Sequence, residues 1–126
     1  MVGSTKSRVL SVVLLFALFF MGACSGGSEK YGAGVDTRLP VVQVRDVFLQ
    51  QDLLGQRVTL EGRIVSQCAS NGCWFYLQDD TGQVYIDLSR NGFELPSLPN
   101  RRVKASGTVA RAQQAFVLIA TGVELQ

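Results

Sequence analysis

From Arg57 onward the chain alternates between apolar and polar positions with a period of two, the pattern of half-buried β-strands. In RVTLEGRIVSQC the even positions Val58, Leu60, Gly62, Ile64, Ser66 and Cys68 are apolar or small, whereas Arg57, Thr59, Glu61, Arg63 and Gln67 are polar and Val65 breaks the rule. In CWFYLQDD the inward set is Cys73, Phe75 and Leu77, leaving Trp74, Tyr76 and Gln78 outward. In QVYIDL, Val84, Ile86 and Leu88 point inward while Gln83, Tyr85 and Asp87 point outward. The intervening ASNG predicts a hairpin turn with Asn71 and Gly72 supplying positive φ. Asp79 to Gly82 predicts a second turn, where Asp79 and Asp80 read as backbone caps in preference to a calcium loop or an acid-base pair. After the connection SRNGFELPSLPN come two more strand patterns, RRVKASGTVAR and AFVLIATGVEL, with Arg101 and Arg102 as solvated charges at a strand start.

Upstream the period changes. VVQVRDVFLQQDLLG predicts a short extended piece and then one short helix, with Asp46 as N-cap, Gly55 as stop, and Val47, Phe48, Leu53 and Leu54 packed on the domain. Residues 25–39 are rich in Gly and small polar residues without apolar periodicity, the composition of a flexible tether that Pro40 closes. A three-strand meander, a connection and a closing hairpin form the plan of an all-β, five-stranded OB-fold-like barrel with one short N-terminal helix. A half-open five-stranded sandwich is the competing arrangement. Gly62 and Gly107, mid-strand on the inward phase, favour closure, because a barrel must bend sharply where a side chain would obstruct.

The N-terminus carries a different signal. Lys6 and Arg8 precede the apolar run VLSVVLLFALFFMGA, which ends against Cys24 and is shorter than the about 20 residues a membrane-spanning helix requires. A charged segment, an apolar segment and small residues at a cleavage point make a signal peptide. Met21, Gly22, Ala23 and Cys24 resemble the bacterial lipobox, with Met21 where Leu is usual. That resemblance implies cleavage before Cys24, lipid (diacylglycerol and palmitate-type acyl chains) on its sulfur, and firm attachment to a membrane at ~0.8 kcal/mol per buried methylene. Ser25 stands where Asp would retain such a lipoprotein in an inner membrane, so the resemblance implies the periplasmic face of the outer membrane. The expected division is a signal peptide over residues 1–23, a lipidated cysteine and linker over 24–40, and an OB-like domain over 41–126.

Composition narrows the chemistry. Without the signal peptide, 103 residues remain, enough for one small domain. Loss of Lys6 and Arg8 leaves ten basic against ten acidic residues. A nucleic-acid ligand is disfavoured, because phosphate neutralisation calls for a basic excess. The chain has no histidine, which excludes a Ser-His-Asp triad and removes the commonest general base and metal ligand.

With Cys24 assigned to lipid, Cys68 and Cys73 remain as a pair flanking one turn. A disulfide suits an oxidising compartment and would pin the hairpin register, contributing about 2 kcal/mol for so short a loop. Two thiolates on one turn also suit Cu(I), whereas zinc would want two further ligands. Thiol exchange with partner thiols is the third reading, and no helix N-terminus or base is evident that would lower a thiol pKa.

The segment CASNGCWFYLQDDTGQVYIDLSRNGFELP resembles a family of small exported bacterial proteins assigned an OB-like domain and no established function. Cys68, Gly72, Cys73, Trp74, Gly92, Phe93 and Pro96 carry the match. LLGQRVTLEGRIV is also similar to the opening strand of anticodon-binding-type OB domains. Trp74, Tyr76 and Tyr85, with Arg63, share the outward phase of the meander, the surface on which OB domains stack rings. Either these rings form a ligand surface or the 41–55 segment covers them. The sequence thus reads as a non-catalytic binding module without cofactor or bound metal, anchored to a membrane and offering its sheet to an envelope protein or glycan. The alternative is an envelope thiol-redox or copper-handling factor.

Overall fold

The computed structural model describes residues 29–126, so Cys24, the signal peptide and the first linker residues lie outside the described residues. Among the described residues seven strands and one α-helix follow in order: β1 Lys30–Gly32, β2 Val41–Val42, α1 Val44–Leu49, β3 Arg57–Gln67, β4 Trp74–Asp79, β5 Gly82–Asp87, β6 Arg102–Ala112 and β7 Ala115–Leu125. Single 3-10 turns at Gln51–Leu53 and Ser89–Asn91 complete the set. Among the described residues no helix is long and apolar enough to cross a membrane.

The five long strands close a ring. β3 pairs antiparallel with β4 and β6, β4 with β5, β6 with β7, and the parallel pairing of β5 with β7 seals the barrel. This is the all-β OB-like architecture that the alternation predicts, closed rather than sandwiched. The inward phase fills it: Phe75, Leu60, Ile64, Leu77, Ile86 and Leu118 are all essentially solvent-free. A Cβ at Gly62 would strike the Gln78 carbonyl and the Leu77 side chain, and one at Gly107 would strike the Ile119 carbonyl. Both positions are therefore points of close strand approach, as the mid-strand glycines imply.

Three local expectations are corrected. First, β3 pairs Ile64 with Leu77 but Ser66 with Tyr76, so Val65 is the extra residue of a β-bulge. Beyond it the phase inverts: Ser66 is exposed, Gln67 stands opposite Phe75, and Cys68 is not on the inward phase. Gln67 then ties down the long connection, its amide donating to the Pro96 carbonyl (2.6 Å) and its side-chain oxygen accepting from Leu98 N–H (3.0 Å). Second, only Gly72 of the Asn71-Gly72 pair has positive φ, at 60°, and its missing Cβ leaves room for the Leu95 carbonyl.

Third, Asp46 is not the N-cap. Gln43 occupies that place and Asp46 is three residues on, its carboxylate accepting from Gln43 N–H (2.9 Å) to complete a capping box. α1 buries Val44 and Val47, while Phe48 and Leu54 remain largely exposed and Leu53 is half-buried. Phe48 instead meets the edge of Phe116 at 5.8 Å. The helix is fastened at its start by the β4–β5 turn, where the Asp79 carboxylate accepts from Val44 N–H (2.8 Å) and Thr81 Oγ1 from Arg45 N–H (3.0 Å).

The linker expectation changes most. Lys30, Tyr31 and Gly32 pair with Glu124, Val123 and Gly122 of β7, and Leu125 N–H donates to the Glu29 carbonyl. The chain continues as a strap: Ala33 N–H reaches the Thr121 carbonyl, and Asp36 N–H donates to Ser106 Oγ at 3.1 Å. Ser106 Oγ lies 2.7 Å from Thr59 Oγ1, and both side chains are buried although Thr59 is on the outward phase. Gly122 makes this possible, since a side chain there would occupy the place of Gly34. Residues 30–40 therefore belong to the folded domain, which extends upstream of residue 41. Their small residues permit close contact with the sheet, a packing role that composition alone presents as flexibility.

Candidate functional site

The outer face of β4 and β5 carries the aromatic residues. Cross-strand register places Tyr76 opposite Tyr85 and Trp74 opposite Asp87, with Ser66 of β3 on the other side of Tyr76. The three rings touch one another: Trp74 stacks on Tyr85 at 5.6 Å with planes 26° apart, and Tyr76 meets both edge-on at 5.9 and 5.5 Å. Such spacings are within the range of favourable aromatic pairs. They fix a preformed plate whose rings lose little freedom when something lands on it. Tyr76 is 37% exposed, and α1 contacts the β4–β5 turn and Phe116 instead of covering the rings. Burial first, and then the charge of Asp87, raise the Tyr85 hydroxyl above its ordinary value, so it remains a neutral donor at physiological pH.

One register step along, Arg63, Gln78 and Gln83 form a polar row across the three strands. Gln83 donates its amide to Gln78 Oε1 at 3.3 Å, and both side chains are exposed. Arg63 shares this face but is directed away from the rings: its guanidinium donates to the Asn100 carbonyl at 3.0 Å. With Glu61, Gln78, Asp80 and Arg102 it lines a separate open groove of about 540 Å³ beside β2. The structure thus brings Trp74, Tyr76 and Tyr85 together and leaves Arg63 at the margin.

Neighbouring carboxylates have structural work. Asp79 Oδ1 accepts from Thr81 N–H, Thr81 Oγ1–H and Gly82 N–H, in addition to the Val44 contact of its other oxygen. Burial raises its carboxyl, but these donors outweigh burial and hold it below the ordinary value. The turn-cap reading of Asp79 therefore accounts for its environment. Asp87 caps the Ser89–Asn91 turn, accepting from Ser89 N–H and Oγ–H, and pairs with the Arg90 guanidinium at 3.3 Å. Arg101 and Arg102 are exposed at the start of β6.

Cys68 and Cys73 adjoin the plate at its Trp74 end. Cys68 N–H donates to the Trp74 carbonyl, and Leu88 N–H to the Cys73 carbonyl. Both cysteines are free thiols with their sulfurs 3.5 Å apart, each half-buried. The Ser70 hydroxyl first, then the backbone N–H groups of Asn71 and Ser70, lower the Cys68 thiol to about 6. Donation of the Cys73 thiol to Cys68, followed by burial, pushes Cys73 upward. Sequence reasoning finds the pair but misses this inequality. The available signal is Ser70, two residues after Cys68 in a turn, the spacing at which a hydroxyl reaches back to a neighbouring side chain.

The fold has known counterparts. The structure of the hypothetical protein ygiW from E. coli is similar at 19% identity and TM-score 0.54, over 68% of this chain and 89% of that one. A Leishmania major Friedlin protein assigned as an aspartyl-tRNA synthetase is similar at 11% identity and TM-score 0.57, over 74% of this chain but only 22% of the synthetase. No protein-family model and no curated protein matches the chain. At these identities the likenesses establish an OB-like domain and nothing about ligands.

Proposed function

We propose that this chain is a lipid-anchored envelope protein whose OB-like domain binds a glycan of the cell envelope without transforming it. The observation that carries this reading is the preformed cluster of Trp74, Tyr76 and Tyr85, in which Tyr76 is exposed and the other two rings are half-buried. Aromatic rings beside amides suit a sugar: its C–H groups pack against the exposed Tyr76 side of the cluster and its hydroxyls bond the amides. Gln78 and Gln83 supply those amides one register step away, and the Tyr85 hydroxyl adds a neutral donor. A polyphosphate chain suits the surface less well, since Arg63 is engaged by Asn100 and the mature chain has no basic excess.

The anchor in this proposal is Cys24, on the lipobox-like Met21-Gly22-Ala23-Cys24, which would hold the domain at the periplasmic face of the outer membrane. Two experiments test the two halves. Full-length protein should incorporate labelled palmitate and fractionate with outer membranes, and Cys24→Ala should do neither. Purified protein should co-sediment with isolated peptidoglycan sacculi, and Trp74→Ala together with Tyr76→Ala should abolish this. Equal sedimentation of the double variant would reject the plate as the binding surface.

A further inference from the structure

The turn between β3 and β4 holds its shape through hydrogen bonds that do not involve sulfur. Cys68 N–H to the Trp74 carbonyl (3.1 Å), Leu88 N–H to the Cys73 carbonyl (3.0 Å) and Leu95 N–H to the Gly72 carbonyl (3.0 Å) already fix its register. A covalent bond between Cys68 and Cys73 is therefore not needed to position the hairpin. Yet the two sulfurs lie 3.5 Å apart, so bond formation requires an approach of only about 1.5 Å. The turn residues Ala69, Ser70 and Asn71 are exposed, which leaves the pair accessible from solvent.

The surroundings of the two sulfurs differ. Cys68 Sγ has Ser70 Oγ at 3.4 Å and Asn71 Oδ1 at 3.2 Å, both at the surface, and the thiol of Cys73 donates to it. Cys73 lies in the chain between Gly72, buried against Leu95, and Trp74. Cys68 Sγ thus accepts from the Cys73 thiol and has the Ser70 hydroxyl and the Ser70 and Asn71 N–H groups beside it to stabilise a thiolate, while its own thiol proton faces the acceptor Asn71 Oδ1; Cys73 Sγ serves as a donor to it.

We propose that Cys68 and Cys73 form a two-cysteine thiol–disulfide exchange centre, in which Cys68 attacks the disulfide of another molecule and Cys73 resolves the resulting mixed disulfide. The Cys68 thiolate attacks one sulfur of the external disulfide, whose S–S bond breaks as the Cys68–sulfur bond forms, and the second external sulfur leaves as a thiolate. Cys73 then gives its proton to solvent and attacks Cys68 Sγ, releasing the first external sulfur as a thiolate. Two electrons pass from the pair to the external disulfide, which becomes two thiols on taking up two protons from solvent, while the pair becomes the Cys68–Cys73 disulfide. The lowered Cys68 value, about 6, makes about nine-tenths of it thiolate at pH 7. A thiol this acidic remains a competent nucleophile near neutral pH.

The test uses the full-length chain purified in detergent, with Cys73→Ser, Cys68→Ser and Ser70→Ala beside it. Alkylation of Cys68 should rise through a midpoint near pH 6, and Ser70→Ala should move that midpoint up by about one unit while leaving the thermal unfolding curve in place. With oxidised glutathione as a small disulfide and insulin as a protein disulfide, Cys73→Ser should trap a mixed disulfide at least about tenfold faster than Cys68→Ser at pH 7. The reduced wild-type chain should lose two protons in mass as it reduces the probe. Reaction with insulin but not glutathione marks a protein substrate, the reverse marks a small thiol couple, and either supports exchange. Equal trapping by the two variants would overturn the proposal. So would a wild-type disulfide that glutathione leaves intact, or stoichiometric copper that protects both thiols from alkylation.

Discussion

The two sides of the barrel's outer surface have been treated in opposite ways. On the side formed by β3, β6 and β7, the strap over residues 30–40 lies across the sheet and buries Thr59 and Ser106, two small hydroxyl residues that water would solvate without cost. On the β4–β5 side, Trp74, Tyr76 and Tyr85 shield one another only in part: Trp74 and Tyr85 are half-buried and Tyr76 is exposed, although burying all three fully would contribute far more apolar area. Stability alone would favour the reverse arrangement. The strap lies over hydroxyls and not over the rings, which leaves Tyr76 open to solvent, as the proposed binding surface requires.

This comparison can be broken from its stable side. Gly62→Val forces a side chain into the Gln78 carbonyl at the β3–β4 approach and should cost about 3 kcal/mol in denaturant-induced unfolding, the largest effect expected. Gly122→Val should unseat the strap by displacing Gly34, at about 2 kcal/mol, with amide exchange rising selectively over residues 30–36. If exchange there is already fast in the wild-type chain, the strap is not a fixed cover and the contrast between the faces fails.

Smaller effects sharpen the comparison. Asp79→Asn weakens the turn that fastens α1 and should cost about 1 kcal/mol at pH 7. Because the folded Asp79 carboxyl is held below its ordinary value, its ionised form contributes stability fully above about pH 4, the unfolded value, and loses it as pH falls through the lower folded one. The Asn variant should therefore show a flatter loss of stability on the acid side, measured by urea midpoints from pH 6 to pH 2.5. Tyr76→Ala should change stability least, by under about 1 kcal/mol, since only exposed edge-on ring contacts are lost. A large destabilisation there would make the plate a structural element.

What the sequence reveals follows from what its period can encode. The inward phase of five strands, from Val58 to Leu125, is readable because one buried face imposes strict alternation. The aromatic plate is readable for the same reason: Trp74, Tyr76 and Tyr85 share one phase on adjacent strands, so register alone brings them together. The bulge at Val65 is not, because its one signal is a single apolar residue out of phase, yet it turns Ser66, Gln67 and Cys68 to the opposite faces. Burial of Thr59 is hidden as well, since its cover is a Gly-rich segment that composition assigns to a tether. Arg63 lies on the expected face, but its guanidinium is directed by Asn100, thirty-seven positions away, and alternation carries no such information.

Trp74 is the chain's single tryptophan and stacks on Tyr85 within the plate, so with the neighbouring cysteine pair held reduced its fluorescence reports on that surface. Titration of the full-length protein in detergent with soluble disaccharide-peptide fragments of peptidoglycan should give a saturable change in Trp74 emission, and Tyr76→Ala should raise the Kd at least about tenfold, the equivalent of one lost ring contact. Emission that does not respond to the fragments, or an unchanged Kd in Tyr76→Ala, would contradict the account.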